Sequence, residues 1–334
     1  MESEPKFKEI PLVYLVYGEG LSSVFTSQVI RPMYHRYLRG FNVHIGVFAP
    51  LGQLFRPQVR NRWYSLRLGI PEEIRDRLTV LPSAPTRLRW AWDDAFTLRY
   101  WLSRKFGSER RFLLQCRGSY MTSVALKVRH GFSKAKVIFD CRGDEPAEFI
   151  GRMRVPEDQV RYFPSLARKY DRLMRLERLA VADSDAVCCV SNAMAKELSE
   201  RHSVPLRKFH VIPCCTDVRL FPWEESFRLK VRNELRLTNR FVVTFCGSLQ
   251  FYQLPDQVIR IFRLIAAIEP NGHLLAITTQ PDGFSSLLGS AGIGRDQATV
   301  LSLPPDEVPR YLVASDLGLL LRRQDAVNRV AAPV

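Results

Sequence analysis

The chain has 334 residues, 46% of them hydrophobic and 25% charged, which excludes a disordered or low-complexity protein and fits two domains better than one. Its net charge of +15 calls for an anionic neighbour: nucleic acid, an anionic lipid surface or a phosphorylated substrate. No apolar stretch is long enough to span a bilayer, and the opening "MESEPKFKEI" is acidic where a secretory leader would be basic.

In chain order, "PLVYLVYG" (residues 11–18) is a short apolar strand ending in glycine. A loop follows, then a helix capped by Ser22 or Ser23 and closed near Gly40, which Pro32 is expected to kink. "FNVHIGVFAP" is a second strand. Residues 51–89 are less regular and read as loops with a helix or two. "RFLLQC", "AKVIFD" and "DAVCCV" are further strands, separated by helical patterns such as "WDDAFTLRYWLSRKF", "SYMTSVALKVRHG" and "YFPSLARKYDRLMRLERLAVAD". "FHVIP" closes this first run. The rhythm restarts after Trp223 with the strands "RFVVTFCG", "HLLAIT", "ATVLSL" and "DLGLLL", again with helices between them. Short apolar strands alternating with helices give mostly parallel sheets covered on both faces. The fold class is therefore α/β: two doubly wound Rossmann-like domains in series, over residues 1–215 and 216–334. "CCTDVRLFPWEE" is the crossover between them.

Seven cysteines fall at positions 116, 141, 188, 189, 214, 215 and 246, with no CxxC spacing, and no histidine has the spacing of a zinc ligand set. Vicinal cysteines bridge only with strain, so these read as small buried hydrophobes in a reducing, cytoplasmic setting.

Open parallel sheets bind ligands beyond the carboxyl ends of their strands. That rule selects Gly18 and Gly20, Arg117, and Asp140 with Arg142 and Asp144 in the first domain. In the second it selects Gly247 and Ser248, Thr278, Leu303 with Pro304, and Arg322 with Arg323. "YGEGLSS" is not GxGxxG, and no acidic residue closes the next strand, so a dinucleotide fingerprint is absent. In "FDCRGDEP", Arg142 suits a bidentate grip on a carboxylate or phosphate, and Asp140 or Asp144 either fixes that arginine or acts on a hydroxyl. The alternative is an internal ion pair that caps the next helix. Arg117 in "QCRGSY" lies on the same rim. In "CGSLQFY" the N–H groups of Gly247 and Ser248 are placed to cradle a phosphate.

The segments "VIFDCRG", "LERLAVADSDAVCCVSNAMAKEL", "FHVIPCCTDVRLF", "FVVTFCGSLQ" and "VPRYLVASDLGLLL" resemble, in order and spacing, glycosyltransferase family 4. These are retaining enzymes of the two-Rossmann-domain type (GT-B) that build bacterial surface polysaccharides. The resemblance implies an acceptor-binding first domain facing a nucleotide-sugar-binding second domain across a cleft. It implies catalytic residues among Asp140, Arg142 and Arg117. Gly18 and Gly20 would lie near the donor diphosphate, with Gly247 and Ser248 beside it, and Leu303 and Pro304 near the base. The partners would be a nucleotide-sugar and a glycan or lipid-linked acceptor. No metal or other cofactor would be needed, because cationic side chains and helix N-termini stabilise the leaving diphosphate.

Three departures stand out. The acceptor rim has no histidine, and "QFYQ" follows "CGSL" without a basic residue. After "DAVNRVAAPV" the family's lysine-containing turn and glutamate-led helix do not appear, so a truncated second domain is expected. Other classes open to the sequence are a non-catalytic scaffold and a sugar-nucleotide epimerase. The basic residues are spread through the helices, which disfavours a nucleic-acid binder. They fit better a peripheral site on an anionic membrane surface, with "RNRWYSLRLG" and "RLRWAWDD" as candidate interfacial patches.

Overall fold

A computed structural model of the chain describes residues 8–18, 25–83, 93–107, 111–132, 134–216, 218–221 and 224–332. The chain divides into two compact units, Met1–Cys214 with Arg329–Val334, and Cys215–Asn328.

The first unit holds a seven-stranded sheet in the order β3-β2-β1-β4-β5-β6-β7, with every pair parallel. Its strands are β1 (Leu12–Tyr17), β2 (Val43–Pro50), β3 (Leu78–Ser83), β4 (Phe112–Arg117), β5 (Ala135–Cys141), β6 (Ala186–Cys189) and β7 (Phe209–Val211). The helices that bear on the site are α1 (Arg31–Leu38), α2 (Pro57–Leu68), α3 (Asp94–Phe106), α4 (Gly118–Arg129), α5 (Glu145–Met153), α6 (Pro164–Asp183) and α7 (Asn192–His202).

The period-2 alternation of β1 feeds two cores. Val13 and Leu15 pack with Leu98, Leu102 and Phe106 of α3 and with Met121 and Val124 of α4. Leu12, Tyr14 and Val16 pack on the opposite face with Val29, Ile30 and Met33. Burying each such aliphatic side chain contributes roughly 1.5–3 kcal/mol. A π-helical turn, Thr26–Ile30, runs directly into α1, so Pro32 lies inside one continuous helical segment, and the wider turn stands just before the residue that cannot donate. The expected caps Ser22 and Ser23 lie outside the described residues.

The irregular stretch 51–89 contains α2, two one-turn helices and β3, a strand that the sequence pattern does not announce. Pro82 sits within it opposite Ala49, which is tolerated because β3 is the edge strand. Trp63 packs against the β1–β2 core, so the first candidate interfacial patch turns its tryptophan inward. Trp90 and Trp92 lie outside the described residues.

The second unit holds a four-stranded parallel sheet ordered β10-β9-β8-β11: β8 (Phe241–Cys246), β9 (Gly272–Ile277), β10 (Ala298–Leu301) and β11 (Leu317–Leu319). Helix α8 (Glu225–Glu234) covers one face, and α9 (Pro255–Ile268) and α10 (Pro281–Ser290) cover the other. Strand β11 lies at an edge, with Leu317 39% and Leu320 62% exposed. Two parallel sheets flanked by helices, the second smaller, give the α/β double Rossmann-like class expected from the strand–helix rhythm.

Candidate active site

At the carboxyl edge of the first sheet, Asp140 is the last residue but one of β5 and is 2% exposed. Its Oδ2 accepts a hydrogen bond from the Tyr14 hydroxyl, which reaches across β4 from β1. Its Oδ1 lies 2.9 Å from Arg142 Nε, in an ion pair whose angle falls outside hydrogen-bond geometry. Burial first, and the Asp140 charge second, push the Tyr14 hydroxyl far above its ordinary value, so it stays protonated and donates. Burial also works against the Arg142 charge, but Asp140 and then Tyr14 outweigh it and hold the guanidinium above its ordinary value. Arg142 Nη1 approaches the Cys214 sulfur at 3.8 Å.

Arg117 ends β4 beside Asp140 in register, is 9% exposed, and donates from Nη2 to Gln28 Oε1 at 2.7 Å. The structure thus brings Arg117, Asp140 and Arg142 together on one rim. Asp144 goes elsewhere. Its side chain caps α5 through the Ala147 N–H (2.9 Å) and pairs with Arg201 at 2.6 Å, which is the internal cap-and-pair alternative. Gly18 follows β1 with φ +71°, a conformation that favours glycine, and its N–H donates to Phe48 O at 2.9 Å. Gly20 lies outside the described residues.

In the second unit Gly247 and Ser248 follow β8. The Gly247 N–H donates to Ile277 O at 3.0 Å, and the Ser248 N–H donates to Gln253 Oε1 at 2.7 Å. A Cβ at position 247 would meet that same Gln253 oxygen and make the flexible amide shift. The amide oxygen of Gln253 therefore stands where an anion would meet the Ser248 N–H. Leu303 is half-buried after β10, and Pro304 is exposed and starts a turn closed by Glu307 N to Pro304 O at 3.0 Å. Thr278 follows β9 and accepts from Gln280 N at 3.3 Å.

Sequence reasoning passed over Tyr14, which reads as one more apolar strand residue, and Arg36, which reads as helix surface. Arg322, selected at its strand end from the sequence, stands beside "QFYQ". The Arg322 guanidinium lies 5.9 Å from the centre of the Tyr252 ring, inside that segment, and its buried Nε has no hydrogen-bond partner.

A groove of about 570 Å³ lies between α4 and α6, lined by Lys127, Arg129 and Arg172 together with Asp93 and Asp183. It contains none of the strand-end residues, and its mixed charges form no row of donors. All seven cysteines are free. Cys116, Cys141, Cys188 and Cys189 are buried as expected, whereas Cys215 and Cys246 are exposed and Cys214 is half-buried. Among the described residues no group of three His, Cys, Asp or Glu side chains is placed to hold a metal ion, and no helix is long and apolar enough to cross a membrane.

Comparison with solved structures shows the fold over nearly the whole chain. Anabaena Alr3699/HepE in complex with UDP-glucose superposes with a TM-score of 0.60 at 14% identity, covering 92% of this chain and 73% of that one. A glycosyltransferase from Rickettsia africae gives 0.60 at 10% identity, with 92% and 72% covered. The catalytic domain of starch synthase IV from Arabidopsis thaliana, bound to ADP and acarbose, gives 0.54 at 14%, with 93% and 78% covered. At these identities the likeness is one of fold. No curated protein matches the sequence. The family model described as Glycosyltransferase Family 4 matches residues 35–220, more than half of the chain and all of the rim built by β4 and β5. The chain belongs to glycosyltransferase family 4.

Proposed function

We propose that the protein transfers a glycosyl group from a nucleotide-sugar to a glycan or lipid-linked acceptor, with retention at the anomeric carbon. The first domain read from the sequence (residues 1–215) takes the acceptor and the second (216–334) the nucleotide-sugar. The observation that carries this reading is the buried Tyr14–Asp140–Arg142 group at the carboxyl edge of β5. It is a charged rim held rigid from behind, at the edge where open parallel sheets receive ligands.

In this reading Arg142 and Arg117 orient the acceptor, Asp140 holds Arg142, and Tyr14 holds Asp140. As the acceptor oxygen bonds to the anomeric carbon, the bond to the diphosphate breaks, negative charge gathers on the leaving oxygen, and the acceptor's hydroxyl proton passes to the departing diphosphate. Arg322 supplies positive charge there, and the Ser248 N–H joins it once Gln253 swings away. Gly18 and Gly20 lie on the diphosphate side in this reading, and Leu303 and Pro304 border the base. The net charge of +15 favours work at an anionic membrane surface. Arg168, Arg172 and Arg175 on α6 are exposed, as are Tyr162 and Phe163 before its start, which makes this helix the better interfacial candidate.

Calorimetry against uridine, guanosine and adenosine diphosphates tests the donor assignment. Binding of at least one, weakened by Arg322→Gln, is expected; binding of none would overturn it. Flotation with anionic and neutral vesicles tests the membrane reading, which fails if the two partition equally at low salt.

A further inference from the structure

Arg36 stands in the last turn of α1, and its Nη1 donates to Gln115 Oε1 on β4 at 2.8 Å and approaches Met33 Sδ at 3.9 Å. Both acceptors are neutral, and among the described residues Arg36 makes no ion pair. The charged groups that act on it are Asp140 and Arg142, with Tyr14 and Cys188 nearby. Asp140 is the one carboxylate in that set, and its two oxygens already face Tyr14 and Arg142. Arg36 therefore has no carboxylate of its own among the described residues. Burial, ahead of every other influence, pulls the Arg36 guanidinium below its ordinary value, as expected for a charge without a counter-ion.

The sheet beside this pair is open. Register places Gln115, Ile138 and Ala186 in one row, and Arg117, Asp140, Cys188 and His210 in the next, on the same face. Ile138 and Ala186 are only half-buried and His210 is exposed, so solvent reaches this face from β5 to β7. A desolvated guanidinium is costly unless an anion meets it, and its planar fork matches the oxygens of an oxyanion. Two forks carried on different elements suit a tetrahedral phosphoryl group, which offers three oxygens in three directions.

We propose that Arg36 and Arg142 form a receptor on this sheet face for a phosphoryl group carried by the acceptor. The inference rests on the acceptor reading of the first unit and names the chemistry of the substrate it takes.

The test titrates the full chain with inorganic phosphate while UDP saturates the nucleotide site, and follows binding by phosphorus NMR. Loss of a charge-assisted contact predicts that Arg36→Gln weakens phosphate binding about tenfold or more, with Arg36→Lys recovering part of it. Thermal melts establish that each variant is folded. Competition by glycerol 1-phosphate and by phosphatidate vesicles then separates the two sources. Arg36-dependent displacement by the former indicates a soluble phosphomonoester, and by the latter a lipid headgroup. Phosphate binding that ignores both Arg36 variants, or no binding at all, overturns the proposal even if UDP binds. If UDP does not bind, the donor reading fails, and the Arg36-dependence of phosphate binding measured without UDP still decides this one.

Discussion

Two aspartates face arginines at opposite ends of their strands, and the difference between them separates a tie from a site. Asp316 stands just before β11, at the amino edge of its sheet. It accepts from the Val242 N–H at 2.7 Å, and it pairs with Arg232 at 3.1 Å and with Arg228. Arg232 spends every nitrogen: Nε on Leu237 O at 3.2 Å, Nη1 on Ala314 O at 3.1 Å and on Asp316, and Nη2 on Arg240 O. Asp140, by contrast, stands at the carboxyl edge. Among the described residues its partner Arg142 has only that carboxylate and a distant sulfur, with Nε short of a proper hydrogen bond. Saturated donors lock a fold together, whereas donors left open at a ligand edge await something else.

Breaking the tie should have the largest effect. Arg232→Ala takes the donor from three carbonyls and one of the two arginines from Asp316, and is expected to cost the second unit about 3–5 kcal/mol, read as a shifted urea midpoint. Breaking the site should act on chemistry instead. Arg142→Ala is expected to cut transfer by about 2–4 kcal/mol of activation free energy while nucleotide affinity holds. Normal turnover in that variant would make Arg142 a second structural pair. Tyr14→Phe leaves one oxygen of the buried Asp140 without its donor, and should destabilise the first unit by about 1–3 kcal/mol, measurable by thermal melting.

The smallest effect is on pH dependence. Burial raises the Asp316 carboxyl, but the Val242 N–H, followed by Arg232 and Arg228, outweighs it and holds the group below the usual carboxylate range. A depressed folded value stabilises fully above the unfolded value of about 3.9 and is lost as pH falls through the folded one. Urea melts of Asp316→Asn should therefore be less sensitive to pH below about 4 than those of the parent.

The sequence made the strand ends readable because apolar runs stop there at glycine or charge, as in "FDCRGDEP" and "VTFCGS". Asp140, Arg142 and Arg117 could be selected in that way without coordinates. Tyr14 could not, because a tyrosine inside "LVYLVY" has the pattern of core, and only the β1-β4-β5 order brings its hydroxyl to Asp140. Arg36 was hidden for a similar reason: on a helix "RPMYHRYL" it looks solvated until the packing turns it over Gln115. Strand β3 escaped because "LTVLPS" carries Pro82 and lacks a continuous apolar run. Motifs also concealed the part played by Gln253, since a side chain occupying the Ser248 N–H leaves no spacing signal.

The division of labour between the two units is tested most directly by amide hydrogen exchange with and without saturating UDP. The account predicts added protection at residues 247–253, 278–283 and 303–305, and around Arg322, with little change at residues 115–118 and 140–144. Protection concentrated at 115–118 and 140–144, with none in the second unit, would contradict it.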